Sequence, residues 1–532
     1  MENESNYLFL DLIEIGLVRK KIFQKLSSFS DISNLGKTCS QIDFIINNDK
    51  IKKTFMCYED KQIVEIKIKD HNDSSVYELD DVEFEKYNNS SGKLDELKVF
   101  FGERICLKSC INFYIDDVVD DFEKRERLLF VEKLVEELNF NHQIRNETKI
   151  LNFMIDSFDN HDIILHTLSH ICHKNIKRIE VPDSIFTASN DKYDGLNFNI
   201  FENLSQFNEF VIYATPSIEI YKRLLDNKNI IDKILENLSK KENSTIILEN
   251  LYHYHNKIIP YVLFFNEISK KYNIKIKCNV NFNCNGLFLR RCKNCLYETC
   301  TFFPIRELVT SIKFENGTSH NLFSIMQNWQ NFTNLETLEL AISDINIKEC
   351  IQNNGSSVQF LSLKNCSTLK RVKFDLRSSF KENDVLKIQE VHSNLIILMV
   401  MMPSTIEVLE LLNIPDLNNI LSLILNIHME NLKVLIMNRV SFKDLTFLNN
   451  LKNLECYISN DNWIIEVPST IKLLGIGHKN NKSKDDQLSI NNKIINTYSN
   501  NFSKCLKSMN DQFIFFNESK YWDIYKKLLY NI

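Results

Sequence analysis

The chain has 532 residues, of which 44% are hydrophobic and 25% charged; 64 basic and 70 acidic side chains leave a net charge of -6. That size and apolar content support a large buried core, and the even spread of charge argues against nucleic acid or an anionic membrane as partner. With only 10 Gly and 7 Pro, Gly-rich phosphate loops and long disordered linkers are not expected.

The first residues, Met1-Glu2-Asn3-Glu4-Ser5-Asn6, are acidic and polar where a secretory signal needs a basic start and an apolar stretch. The longest apolar run, Leu395 to Met402, is far shorter than the roughly 20 residues of a bilayer span. The 14 cysteines therefore read as reduced, mostly buried small hydrophobes, and a cytoplasmic or nuclear location is expected.

In chain order, apolar residues first recur at Val18, Ile22 and Leu26, with Phe23 beside them, which is one face of a short helix. Ser30 and Asp31 can cap a second helix carrying Ile32, Leu35 and Cys39, and Ile42, Ile45 and Ile46 supply a third apolar set. A unit this small needs the rest of the chain or a partner to cover its apolar face. Residues Ile22-Phe23, Leu26, Asp31-Ile32, Leu35, Thr38-Cys39 and Ile42 resemble the F-box motif; the family's opening Leu-Pro has no counterpart around Glu14-Ile15-Gly16-Leu17. The resemblance covers Leu10 to Ile46, so residues 1–50 are assigned to an F-box-like module of three helices. It implies docking on a Skp-family adaptor of a cullin ubiquitin ligase, through Ile22, Phe23, Leu26, Ile32 and Leu35.

Residues 51–170 show a mixed pattern, acidic at Asp80-Asp81 and Glu83-Glu85 and helical from Asp121 to Leu138, and are assigned as an α-rich connector. An internal repeat of the form L-x-x-L-x-L follows. Val309, Leu335, Val358, Ile406, Leu432 and Leu454 each open a copy, at spacings of 26, 23, 48, 26 and 22 residues. The spacing of 48 is taken as two repeats with one degenerate copy between. These periods fit a leucine-rich repeat of about 20 to 29 residues. Weaker copies begin at Ile176, Phe207 and Ile471, so residues 171–480 are assigned to a solenoid, best supported over 309–476. Cys366, three residues past Leu363, sits where such repeats use Asn or Cys to satisfy turn backbone groups. Residues 481–532 are expected to form a polar loop and a capping helix through Trp522, Ile524, Tyr525, Leu528 and Leu529.

No phosphate loop, dinucleotide fingerprint, zinc-protease pair or nucleophile elbow is present, so no catalytic residue is assigned. Cysteines 278, 284, 292, 295 and 300 include one C-x-x-C without a second, and packing is the expected role. His166, His170 and His173 share a helix face without a convincing carboxylate, so no metal or cofactor is expected.

The expected fold class is α/β: an F-box-like module followed by a solenoid with parallel strands on its concave face and helices outside. With the helices, this is similar to F-box proteins with leucine-rich repeats, a family whose solenoid holds the substrate of the ligase. The resemblance implies a substrate receptor without catalytic chemistry, with an adaptor, a cullin and a target protein as partners. The alternative is a leucine-rich interaction scaffold with no role in ubiquitin transfer. Side chains between the inward leucines should meet the target: Lys313, Thr337, Glu339, Phe360, Lys364, Glu410, Ile436 and Asn438.

Overall fold

The computed structural model describes residues 63–68, 110–115, 121–140, 145–146, 148–155, 161–252, 258–283, 299–317, 331–343, 362–377, 385–417, 419–442, 446–459, 473–477 and 512–516, together with residues 38, 40, 42, 326 and 470. Among the described residues, fifteen strands form one open sheet in strictly sequential order. They are β1 (Ile63–Ile68), β2 (Cys110–Ile115), β3 (Ile150–Ile155), β4 (Arg178–Pro182), β5 (Glu209–Tyr213), β6 (Thr245–Tyr252), β7 (Lys275–Asn283) and β8 (Val309–Gly317). The sheet continues through β9 (Thr337–Ser343), β10 (Arg371–Arg377), β11 (Val408–Leu417), β12 (Val434–Phe442), β13 (Cys456–Ser459), β14 (Leu473–Gly477) and β15 (Gln512–Phe516). Every pairing is parallel. Parallel neighbours cannot be joined by a tight turn, so each step needs a crossover. Repeating that step in one direction winds the chain as a solenoid-like α/β coil.

The crossovers carry α1 (Asp121–Phe140), α2 (His161–His170), α3 (Ile218–Asp226), α4 (Lys228–Ser239), α5 (Ile258–Lys271), α6 (Val385–Met401) and α7 (Asn419–His428). Other crossovers use 3-10 turns, such as Asp183–Phe186 and Thr446–Asn450. The core lies between helices and sheet. Alternate strand residues enter it in register: Ile312, Leu338, Val372, Leu409, Leu435 and Tyr457 form one row, and Phe314, Leu340, Phe374, Leu411 and Met437 the next. All are buried in one continuous apolar cluster. Each such side chain contributes roughly 1.5–3 kcal/mol when fully buried.

Asparagines help keep the windings in phase. Asn334, Asn431 and Asn453, each directly before an inward leucine, donate side-chain hydrogen bonds to the carbonyls of Glu307 (2.7 Å), Ser404 (2.9 Å) and Glu430 (2.8 Å) of the preceding winding. Asn250, Asn413 and Arg439 adopt positive φ, at 58°, 54° and 55°. That left-handed step breaks the alternation of the strand, so Leu251, Ile414 and Val440 turn into the same core as Leu248, Leu411 and Met437. Asn273, φ 55°, ends α5 in a Schellman arrangement with Ile274 N–H on the Ser269 carbonyl (2.9 Å).

Three expectations are revised. The segment 51–170, read as an α-rich connector, contributes β1, β2 and β3 to the same sheet, which runs without a break across residue 171. In β2 and β3 the opening position of the repeat falls on Lys108 and Thr148, so the leucine template misses them; these strands stack Phe113 on Phe153, ring centroids 4.8 Å apart. The interval of 48 residues is not two short repeats: the strand between β9 and β11 is β10, and its crossover to β11 carries the long helix α6. Its inward residues are Leu369, Val372 and Phe374, so the leucine template selected the wrong triplet. Cys366 stands in the turn before that strand, its thiol 3.8 Å from the Leu335 carbonyl of the previous winding. In the tail, β15 adds a strand, while the expected capping helix lies outside the described residues.

Leu435 is fully buried between Leu409 and Tyr457, whereas Leu423 on α7 is 58% exposed. Leu435→Ala is expected to cost about 2–5 kcal/mol and Leu423→Ala less than about 0.5 kcal/mol, read from urea unfolding midpoints.

Candidate protein-interaction site

Side chains that do not enter the core project from the face of the sheet opposite the helices. Toward the N-terminal side this face is closed: Asn112, Asn152, Glu180 and Val211 are buried, with Asn152 donating to Asn112 at 3.3 Å. It is closed again at β12 and β13, where Val434, Ile436, Cys456 and Ile458 are buried. Between these ends, on β8 to β11, Lys313, Thr337, Glu339, Arg371, Lys373 and Glu410 are half-buried. Half-buried side chains continue onto β7 and β6 at Asn279, Lys277, Glu249 and Thr245; the window whose central row is charged is the four strands β8 to β11, about 14 Å across at ordinary strand spacing.

Within the window the central row alternates in sign: Lys313, Glu339, Lys373 and Glu410 occupy equivalent positions on consecutive strands. Lys373 lies 3.5 Å from Glu410, and Lys313 lies 2.8 Å from Glu315 on its own strand. Burial works against the charge on Lys313, but Glu315 and Glu339 outweigh it and raise its pKa. A second alternating row runs along the strand entrances. Glu407 bridges Lys370 at 3.1 Å and Lys433 at 2.8 Å, and Glu336 holds Lys277 at 2.8 Å. These two rows make the surface richly polar with little net charge, which suits a polypeptide better than a polyanion.

On β4 and β5 the same face carries a closed network. Arg178 donates to Glu180 (2.6 Å) and Glu209 (3.2 Å), and the Tyr213 hydroxyl donates to Glu180 (2.6 Å). Burial pulls the Arg178 pKa down, but these carboxylates reverse the effect and raise it. Burial and Glu180 likewise raise the pKa of Tyr213. The charge of Arg178 also acts on Arg371. The helices on the other side are about 10 Å wide against a strand spacing of about 4.8 Å, so stacked windings curve toward the polar face, which is the inner one.

Lys313, Thr337, Glu339 and Glu410 of the predicted target-binding set come together in the window, with Asn438 half-buried on β12 beside it. Ile436 does not belong to the accessible set: it is only 2% exposed, because the face is closed at β12. Lys364 lies in an exposed turn ahead of β10 and not on a strand, a consequence of the misplaced repeat. Phe360, and the adaptor-binding set Ile22, Phe23, Leu26, Ile32 and Leu35, lie outside the described residues. Arg371 and Lys373 were missed because Val358-x-x-Leu361-x-Leu363 was taken as the copy in place of Leu369-x-x-Val372-x-Phe374.

Among the described residues no group of three or more His, Cys, Asp or Glu could hold a metal, and no helix is long and apolar enough to cross a membrane. Cys278 is buried in the core, and Cys284, Cys292 and Cys295 lie outside the described residues. Of the three histidines, His166 and His170 lie together on α2 with ring centroids 4.3 Å apart and planes tilted by 42°, while His173 falls beyond the helix end and is fully buried.

A profile of the family described as "Domain of unknown function (DUF8346)" matches residues 53–529. No curated protein matches the chain.

Burial pushes the His173 pKa down to about 4, below the ordinary value near 6.5. Since the unfolded chain then takes up a proton that the folded chain refuses, this stability is full above about pH 6.5 and declines as pH falls toward 4. At pH 5 the loss is about 2 kcal/mol. Urea midpoints measured from pH 7 to pH 5 should fall for the native chain and fall less for His173→Gln.

Proposed function

The chain belongs to this DUF8346 family, whose description assigns no activity, and we propose that it is a non-catalytic receptor that binds a protein partner on the inner face of a leucine-rich-repeat solenoid. The observation that carries the reading is the half-exposed window on β8 to β11, with its alternating Lys313, Glu339, Lys373 and Glu410. Its fixed strands preorganise the charges, so a partner with complementary spacing binds without first ordering the surface.

In this proposal the F-box-like helices of residues 1–50 dock a Skp-family adaptor through Ile22, Phe23, Leu26, Ile32 and Leu35, and the assembly joins a cullin ubiquitin ligase. The solenoid supplies proximity, raising the effective concentration of a target lysine near a recruited conjugating enzyme, and ubiquitin transfer is carried out by the partners. Work in the cytoplasm or nucleus follows from this role. The missing Leu-Pro favours a second reading, in which the solenoid is a scaffold that binds its partner without ubiquitin transfer.

Pull-down of the full chain with purified Skp adaptor and cullin tests the proposal. Retention by the native chain, lost in Ile22→Asp/Leu26→Asp, supports the ligase receptor. No retention by the native chain rejects it in favour of the scaffold.

A further inference from the structure

Most charges on the inner face are spent on one another: Arg178 on Glu180 and Glu209, Lys313 on Glu315, Lys373 on Glu410. Arg371 is different. A guanidinium carries five donors, yet among the described residues Arg371 makes one long contact, from Nη1 to the Thr337 hydroxyl at 3.5 Å. Its Nε is buried without an acceptor, while the residue as a whole stays half-buried. Glu336, Glu339 and Glu410 act on it only through space, and none of them forms an ion pair with it among the described residues. Burial pulls its pKa down to about 10, partly offset by those carboxylates, so the group remains cationic at neutral pH.

We propose that Arg371 is the anchor of an oxyanion subsite, receiving a carboxylate or phosphate group carried by the bound polypeptide, with Thr337 beside it on β9. This rests on the reading of the inner face as the partner-binding surface and specifies the chemistry the partner must present. A planar two-oxygen group matches the guanidinium fork, and charge-assisted bonds in a half-buried site are stronger than at an open surface. Glu339, on the adjacent strand, disfavours anions that are not placed on the Arg371 side, so the subsite selects for position as well as sign.

The test compares thermal unfolding midpoints of the full chain in sodium acetate, sodium phosphate and sodium chloride at matched ionic strength, since an anion that binds only the folded state raises the midpoint. The native chain should unfold at higher temperature in acetate or phosphate than in chloride. The larger rise tells whether an acidic side chain or a phosphorylated one is the better fit. Arg371→Gln should remove the rise, and Arg371→Lys, which keeps the charge without the fork, should weaken anion affinity about tenfold. No rise in the native chain overturns the proposal, as does an equal rise in Arg371→Gln. If Arg371→Gln does not fold, an undiminished rise in Arg371→Lys overturns it. Partner capture without an anion response would sink the subsite alone; an anion response without partner capture would sink the receptor reading alone.

Discussion

The structure depends on hydrogen bonds between parallel strands that come from different windings. At each strand entrance one carbonyl accepts two successive amides from the next winding: the Lys370 carbonyl from Glu407 and Val408, the Glu407 carbonyl from Lys433 and Val434, and the Lys433 carbonyl from Cys456 and Glu455. No winding can satisfy its own strand amides, and none can bury its own leucines on both flanks. Stability therefore resides in the contacts between neighbours, and an isolated repeat has no reason to hold its shape.

That dependence explains the periodic polar devices. The asparagines before the inward leucines bind backbone of the preceding winding, so they report spacing between windings rather than local turn preference. The alternating Glu336, Lys370, Glu407 and Lys433 add a sign rule. Skipping a winding would set like charges side by side, which penalises wrong pairings even though each exposed ion pair contributes little to stability.

The same coiling produces the accessible window. Because the helices occupy the broad side, the polar strand residues gather on the narrow side, from Arg178 on β4 to Arg371 on β10. Charges separated by nearly two hundred residues of sequence thereby share one surface, and the pairings among them leave Arg371 with the most unspent donors. Affinity and position for a partner then depend on a rigid scaffold more than on any single loop.

The sequence by itself determined the repeat and its phase in most windings. Leu338 and Leu340 of the copy opened by Leu335, and their counterparts in the copies opened by Ile406, Leu432 and Leu454, stand on β9, β11, β12 and β13 as their spacing requires, because an alternating apolar pattern has one way to face a core. It also placed Lys313, Glu339 and Glu410 on the opposite face by simple alternation. Only the tertiary structure decided that β1 to β3 join the sheet, since strands of the type Cys110–Ile115 and Ile150–Ile155 become recognisable only once a neighbour supplies their pairing. Only it decided that β10 begins at Arg371, past a turn rich enough in leucine to imitate a strand, and that Ile436 is covered while Arg371 is not. Exposure and unspent hydrogen-bonding capacity are properties of curvature and of neighbours in space, and a linear pattern of residues does not encode them.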